Sequence, residues 1–310
     1  MTGTLHADPT RQPVEQEPRY EPGRQLTPSP QQDRPWRVLT VLIGAVTTLL
    51  VVAGFALASV SSWIAVRDVD EIPAVTALGT PASLSLTSTV GTVRVLPSAD
   101  VEEVTLALTE PGSTALPATG QTVRAHLTEV AGASGTTVTV RQPERVSIAP
   151  WTSPDRDVLV LVPVGHELAL DLQADVGDIQ VDGEFTSLTA HSDVGSLRLG
   201  PLSVDGEVRA SSQVGDISLE LDSPGTESIG LRTAAGSVAL TLPADAETGI
   251  DVLTELGDVQ VSLPGAESWD VTTATDLGSV SIDPSLTRGS ASEGRELTVT
   301  SSLGDISITR

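Results

Sequence analysis

The chain contains no cysteine, no lysine and no asparagine. Without cysteine there is neither a disulfide nor a thiolate metal site, and without asparagine there is no acceptor for N-glycosylation. All 17 basic residues are arginine and stand against 41 acidic residues, so the formal net charge at pH 7 is −24. Such an acidic chain repels nucleic acid and anionic polymers, which argues against either as a partner. Arginine in place of lysine, with abundant alanine, valine and glycine, is typical of a GC-rich bacterium.

Signals for catalysis are equally scarce. The four histidines form no pair at metal-ligand spacing, and no G-x-S-x-G motif occurs. Aromatic residues make up 2% of the chain, too few for a groove that stacks sugars. A polysaccharide-cleaving β-helix would need converging acids on an outer face, where His191, Arg198, Arg209 and Arg232 are expected. We therefore expect no enzymatic activity and no cofactor.

What the chain does have is a short pattern that recurs eight times. Each copy has an apolar residue, a glycine, a small polar residue and then alternating apolar positions. The glycines are Gly91, Gly177, Gly195, Gly215, Gly236, Gly257, Gly278 and Gly304. From Gly177 to Gly278 they are 18, 20, 21, 21 and 21 residues apart, and the last spacing is 26. A period this short predicts stacked coils instead of one globular core, with the glycines as structural residues.

The alternation around each glycine predicts strands. Positions seven, five and one before the glycine, and two and four after it, are nearly all apolar. This is period-two alternation with one buried face, and its parity flips at the glycine, so each copy is strand, corner, strand. Three places before the glycine stands a serine, threonine or alanine, small enough for the inside of a bend. The residue after the glycine is aspartate, serine or threonine, which are typical of turns.

These patterns predict an all-β fold, a β-solenoid built as a single-stranded β-helix-like stack. Its coils have about 20 residues and lie about 4.8 Å apart. Residues 158–310 form the regular repeats, and residues 76–157 form an irregular N-terminal part that we expect to continue the stack. An antiparallel sandwich also has short strands and is the alternative. The solenoid is favoured because matching positions keep matching side-chain size.

Residues 38–60 carry no charge and are long enough to cross about 30 Å of hydrocarbon as a helix. Trp36 and Trp63 flank this segment, as is typical of a membrane interface. On its N-terminal side lie Arg19, Arg24, Arg34 and Arg37. The positive-inside rule then places the N-terminus in the cytoplasm and the repeats outside the cell. A cleaved signal peptide ending at residues 56–58 is the alternative, which the long polar lead disfavours.

The remaining segments follow from this span. Residues 1–37 are nearly free of aliphatic side chains, so we expect a disordered cytoplasmic tail. They hold five arginines against five acids, so the whole net charge of −24 belongs to the rest of the chain. Residues 61–75 are expected to form a juxtamembrane linker. The predicted location is the cell membrane, single-pass, with the C-terminal domain extracellular.

The acids at the corners could form a calcium site. Asp178, Asp216, Asp258 and Asp305 each follow a repeat glycine, and stacking would align them in a column. Calcium prefers clustered carboxylate oxygens. Serine interrupts the column, however, and the glycine-rich nonapeptide of calcium-binding β-rolls is absent. A turn-forming role alone is favoured, and no other metal site is expected.

Residues 158–183 read VLVLVPVGHELALDLQADVGDIQVDG, and later copies repeat the pattern L-x-x-x-V-G-D-[IV]-x-V. This pattern resembles a bacterial β-strand-repeat family labelled "putative adhesin", over about residues 76–310. The resemblance implies a β-helix on the cell surface with an unknown biochemical role. It names no functional residues.

The last copy, residues 297–308, is followed by only two residues that could cap the stack. An uncapped rung exposes unpaired strand edges, so we expect a protein or envelope partner to pair there. The predicted function is a membrane-anchored, non-catalytic surface module for adhesion, scaffolding or interaction. The alternative is a single-pass envelope sensor that signals through its cytoplasmic tail.

Overall fold

The computed structural model describes residues 70–132, 135–143, 156–288 and 295–310. Every helix or strand within these ranges is a β-strand. They accordingly contain no helix that could cross a membrane. The predicted tail at 1–37, span at 38–60 and most of the linker at 61–75 lie outside the described residues and stay predictions.

The strands form two sheets of eleven. The first sheet runs in the order β1 (Asp70–Pro73), β6 (Thr122–Ala131), β7 (Thr136–Arg141), β3 (Ser83–Val90), β9 (Ala169–Val176), β11 (Ser187–Val194), β13 (Glu207–Val214), β15 (Ser228–Ala235), β17 (Gly249–Leu256), β21 (Glu296–Leu303) and β19 (Asp270–Leu277). The second runs in the order β2 (Val75–Ala77), β5 (Thr105–Thr109), β8 (Asp157–Pro163), β4 (Val93–Ser98), β10 (Ile179–Phe185), β12 (Leu197–Val204), β14 (Ile217–Leu221), β16 (Val238–Thr241), β18 (Val259–Ser262), β22 (Ile306–Thr309) and β20 (Val280–Ile282).

Each copy of the pattern gives one strand to each sheet, with its glycine at the corner between them. We call such a strand–corner–strand coil a rung and name it after its glycine. Neighbouring rungs pair in parallel with like positions in register; Leu188, for example, pairs with Leu170 on one side and Val208 on the other. This register confirms an all-β fold of stacked strands in parallel sheets. The antiparallel sandwich does not describe these rungs.

The core lies between the two sheets. The aliphatic side chains at inward positions form one continuous buried cluster along the stack, to which Leu84, Leu172 and Val252 belong. Burying one such side chain completely stabilises the fold by about 1.5–3 kcal/mol. A single rung cannot bury its own inner face, so the stability of each rung depends on its neighbours.

The N-terminal end of the stack departs from the repeat. The Gly91 rung packs directly on the Gly177 rung, and β7 and β8 add one further parallel rung. Beyond them, β6, β5, β1 and β2 pair antiparallel. The described part of this region thus adds two parallel rungs to the stack and then covers its end, because β5 and β6, between β4 and β7, pair antiparallel instead of forming a further coil.

At the other end the order of the rungs differs from the order of the sequence. The last rung, β21 and β22, lies between β17/β18 and β19/β20, so Leu303 pairs with both Leu256 and Leu277. The prediction that the C-terminal copy is an uncapped outer rung is wrong. The Gly278 rung is outermost, because the long connection before β21 lets the chain return and insert beneath it.

Contacts at this end hold the inserted rung in place. The Trp269 amide donates to the Leu286 carbonyl at 2.9 Å, and both side chains are buried. The buried Arg295 donates from Nε to the Ala246 carbonyl at 3.0 Å and pairs with Glu267 at 3.2 Å. These contacts link residues on both sides of the return connection.

Candidate functional site

The eight repeat glycines line up along one edge of the stack. The seven from Gly177 onward have φ between +147° and +159°, and Gly91 has φ of +98°. A Cβ on any of those seven would lie 2.0–2.2 Å from the carbonyl oxygen of the glycine on an adjacent rung. Real Cβ atoms do not approach a carbonyl oxygen this closely, so only glycine fits. These residues fix the corner and carry no chemistry.

A column of hydroxyls lies just inside the corners, three residues before every repeat glycine except Gly177, where Ala174 stands. Ser212 Oγ donates to the Gly195 carbonyl at 3.0 Å, and Thr233 Oγ1 donates to the Gly215 carbonyl at 3.0 Å. Four further rungs repeat this bond, from Ser192, Thr254, Ser301 and Thr275. The sequence indicated only that these side chains must be small. The hydroxyl also donates to a glycine carbonyl of the adjacent rung, a contact that satisfies this acceptor.

The corner aspartates bind backbone amides of the next rung. Asp178 accepts from the Ser196 amide at 2.9 Å, Asp216 from the Ser237 amide at 2.8 Å, and Asp258 from the Asp305 amide at 2.8 Å. Each of these carboxylates thus links its own corner to the adjacent one by a hydrogen bond.

Asp305 continues this arrangement onto the outermost rung. The Ser279 amide donates to it at 2.7 Å and the Ser279 hydroxyl at 2.9 Å. These two hydrogen bonds favour the charged carboxylate and lower the pKa of Asp305 below its ordinary value.

The proposed calcium column is interrupted in the stack. Only Asp258 and Asp305 lie on adjacent rungs, whereas serine rungs separate Asp178, Asp216 and Asp258 from one another. The part of the chain that the structure describes holds no cluster of three side chains suited to a metal. The geometry assigns these aspartates to the turn, in keeping with their bonds to backbone amides.

The residue directly before each glycine was predicted to be buried, and most of these residues are exposed. Parity placed these aliphatic residues in the core, but six of them are 45–66% exposed. The reason is that the backbone already turns at this residue, so its side chain leaves the inner face. Strand pairing lines all eight up on successive rungs. We call this set the corner ladder; in spatial order it is Val90, Val176, Val194, Val214, Ala235, Leu256, Leu303 and Leu277.

Acidic residues flank the corner ladder on both sides. Asp178, Asp216, Asp258 and Asp305 lie two residues after ladder members. Four further acids directly precede ladder members: Asp175, Asp193, Glu255 and Asp276. At the eight corners, from the residue before the ladder to the residue after the glycine, there is no arginine. The ladder is therefore an apolar line between acidic margins.

The outer-face residues considered for polysaccharide cleavage do not converge. His191 lies 2.8 Å from the Ser211 hydroxyl and 3.1 Å from Asp193. Arg232 pairs with Asp251 at 3.4 Å, and Arg209 pairs with Glu207 two residues away. Each of these groups thus pairs locally on or beside its own rung. The predicted site residues supply no acid pair around a shared substrate position.

A small cleft lies on the side opposite the corners. It has a volume of about 230 Å³ and is lined by apolar side chains that include Pro97, Pro163 and Phe185. Asp182 is among its lining residues, and burial raises the pKa of this carboxyl above its ordinary value. No sequence signal pointed to this cleft.

One family model matches part of the stack. Residues 166–309 match the family model described as Toastrack DUF4097. This match bears out the resemblance of the repeats to an adhesin-like repeat family of unknown function. No curated protein is significantly similar to the chain in sequence.

Two solved structures are similar in fold. One is described as a "putative cell adhesion protein" from Clostridium sporogenes; it is 12% identical, with a TM-score of 0.36, covering 77% of this chain and 99% of that one. The other is described as a "putative adhesin" from Bacteroides fragilis; it is 13% identical, with a TM-score of 0.44, covering 77% of this chain and 96% of that one.

Proposed function

We propose that the chain is a non-catalytic surface module for adhesion, scaffolding or interaction, a role that suits the match of residues 166–309 to the Toastrack DUF4097 family model. In this proposal the stacked rungs form a β-solenoid that projects from the outer face of a cell membrane.

The corner ladder is the observation that carries this proposal. An aliphatic residue that faced the core would need no further explanation, but six of the eight are about half exposed. Soluble surfaces rarely leave long contiguous apolar lines uncovered unless they bind something. Stacked-repeat proteins commonly bind through surfaces that run along the stack, as this line does.

Membrane anchoring rests on the sequence of the segment before the described residues. An uncharged run over 38–60 with arginines on its N-terminal side supports one span and an extracellular stack. The acidic charge of the rest of the chain suits an exterior location that does not bind nucleic acid.

A sensor is the second candidate, and the tail favours it. Residues 1–37 precede the span and are rich in arginine, proline and glutamine, which is more than an anchor requires. Deleting residues 1–30 separates the two functions. An adhesion module keeps its surface binding after this deletion, whereas a sensor loses its cytoplasmic response while surface binding continues.

The absence of cysteine makes the topology directly measurable. Gln16→Cys in the tail and Ser218→Cys on the exposed face of β14 each introduce the only thiol in the chain. A membrane-impermeant maleimide applied to intact cells should label Ser218→Cys at once and Gln16→Cys only after permeabilisation. The reverse pattern, or labelling of both sites only after permeabilisation, contradicts an extracellular stack.

Surface interaction is tested on the same cells. A photo-crosslinking amino acid placed on exposed faces of the rungs should capture a defined envelope or cell-surface component. Gln16, in the tail, is the matched position that should not capture it. If exposed positions distributed along the whole stack capture nothing above the tail control, the interaction role fails.

A further inference from the structure

The corner ladder contains an unusual share of the exposed apolar surface. Of the eleven large hydrophobic side chains that are exposed in the described residues, six belong to it. They are Val176, Val194, Val214, Leu256, Leu303 and Leu277. Scattered exposed aliphatic residues are normal on any protein, but a line of them on successive rungs is not. Eight rungs about 4.8 Å apart make this line about 34 Å long.

Its width is limited to one side chain per rung. Each member is followed by a glycine that approaches the backbone of an adjacent rung too closely for any side chain. On either side stand the acids of the margins, four on each, which include Asp193 and Glu255 on one side and Asp216 and Asp258 on the other. The surface is thus a narrow apolar line between two rows of negative charge.

We propose that the corner ladder is the docking site for a basic amphipathic helix of a partner protein. This inference rests on the surface-interaction role proposed above and names the class of partner. The helix lays its apolar face on the ladder and directs arginine or lysine side chains to the acidic margins on both sides.

The dimensions fit this occupant. A helix rises 1.5 Å per residue and is about 10 Å across with its side chains, so about 22 residues cover the full line. Its apolar residues recur every turn of 5.4 Å, close to the rung spacing of about 4.8 Å. Basic residues on both sides of such an apolar face lie where the margins are acidic, which gives charge complementarity along the whole contact.

A second copy of this chain fits less well. Pairing two corner ladders would bring two sets of acidic margins together, and like charges repel across an interface. The acidic margins therefore favour a basic partner.

The test uses the full chain in nanodiscs of zwitterionic lipid, with empty nanodiscs as the control for binding to lipid. The probe is a labelled helical peptide of about 22 residues with one leucine face flanked by arginine and lysine. There are two control peptides. One has the same leucine face flanked by glutamate, and the other has the composition of the probe in scrambled order. Binding is measured by fluorescence anisotropy at increasing salt.

Three sets of variants locate the contact. Val214→Ser with Leu256→Ser interrupts the middle of the ladder, and Leu253→Ser is the matched control, an exposed leucine of the same strand off the ladder. Asp216→Asn with Asp258→Asn removes charge from one margin, while the amide oxygen can still accept from the Ser237 and Asp305 amides. Unchanged circular dichroism and melting midpoints show that the stack is intact.

The proposal predicts that the basic peptide binds and that the ladder variant weakens binding about tenfold or more. It also predicts weaker binding for the aspartate variant and at higher salt, and none of these effects for Leu253→Ser. Absent binding, equal binding of the glutamate-flanked peptide, or an equal loss in Leu253→Ser overturns it. A dimer of the chain that the ladder variant abolishes assigns the ladder to a second copy and also overturns it. If the peptide test fails but the ladder variant is still labelled and crosslinked at the cell surface, this inference is wrong and the proposed function stands.

Discussion

Thr254 Oγ1 donates a 3.2 Å hydrogen bond to the carbonyl oxygen of Gly236 on the adjacent rung. The Thr254 side chain is fully buried, and the same bond recurs three residues before the glycine in five other rungs. The hydroxyl column therefore links the corners from inside, while the aspartates link them from outside.

Replacing Thr254 by valine tests the hydroxyl column. Valine keeps the shape of the side chain but leaves the Gly236 carbonyl without its donor. We expect the free energy of unfolding to fall by about 1–3 kcal/mol. Thr189→Val, at an exposed position of β11, is the control and should change it by less than about 0.5 kcal/mol. Chemical denaturation measures both, and equal effects would mean that the hydroxyl is not what the site requires.

Gly236→Ala tests the close approach of the corners. The new Cβ would lie 2.1 Å from the Gly215 carbonyl oxygen at a φ of +156°, so the corner cannot close without moving the neighbouring rung. We expect a loss of at least about 3 kcal/mol or failure to fold.

Gly249→Ala provides the matched control for that change. A Cβ at Gly249 would have no atom within 4 Å, and its φ is not positive. This variant should fold with a melting midpoint at or above that of the parent chain. Similar damage from both alanine substitutions would contradict a special role for the repeat glycines.

The stability of the folded chain should depend on pH through the Asp305 carboxyl group. Hydrogen bonds from Ser279 hold its pKa below the ordinary 3.8 in the folded chain. A carboxyl whose pKa is lowered by folding stabilises above its unfolded pKa, and this contribution disappears as the pH falls through its folded pKa. Asp305→Asn should therefore melt lower than the parent chain at pH 7, and the difference should shrink below about pH 3.8. A difference in melting midpoint that stays constant from pH 7 to low pH would exclude this linkage.

Asp182 should make stability depend on pH in the opposite direction. Burial raises the pKa of its carboxyl above 3.8, so folding disfavours the charged form. The group is most favourable to folding below its unfolded pKa, and this advantage disappears as the pH rises through the folded pKa. Asp182→Asn should raise the melting midpoint at pH 7 and lose this gain in acid. Asp222→Asn, at an exposed position, should show no such gain. A lower midpoint for Asp182→Asn at pH 7 would contradict the burial argument.

Local residue patterns predicted much of this fold. Aliphatic residues such as Leu188 and Val208 at matched offsets predicted parallel rungs in register, because like side chains stack best on like. Gly215 and its equivalents predicted the corners. Patterning of this kind acts within one rung or between identical rungs, so a single sequence reveals it.

The corner ladder was not predictable from parity. Val214 occupies an inward position by counting, but its side chain turns outward because the corner begins one residue before Gly215. The alternation of inward and outward side chains holds for a straight strand and fails where the backbone bends. The hydroxyl role of Ser212 was missed for a similar reason, since its acceptor lies on another rung.

The order of the last two rungs was also missed. Sequence order placed the Gly304 rung outermost, but pairing between rungs depends on matching shape and not on adjacency in the chain. Two signals were present: the spacing of 26 residues before Gly304, and Thr273 where inner rungs have an aliphatic residue. A polar residue at this position costs less free energy on the outermost rung, because that rung has only one neighbour.

The order of the rungs is the claim on which the continuous corner ladder depends, and engineered disulfides in this cysteine-free chain test it directly. Gln260 and Ser307 are paired on β18 and β22, whereas Ser281 on β20 lies one rung further away. Adjacent strands place Cα atoms about 4.8 Å apart, within reach of a disulfide, and a separation of two strands, about 9.6 Å, is too long. We predict that Gln260→Cys with Ser307→Cys forms an intramolecular disulfide and that Gln260→Cys with Ser281→Cys does not. A disulfide in the second pair and none in the first would contradict it.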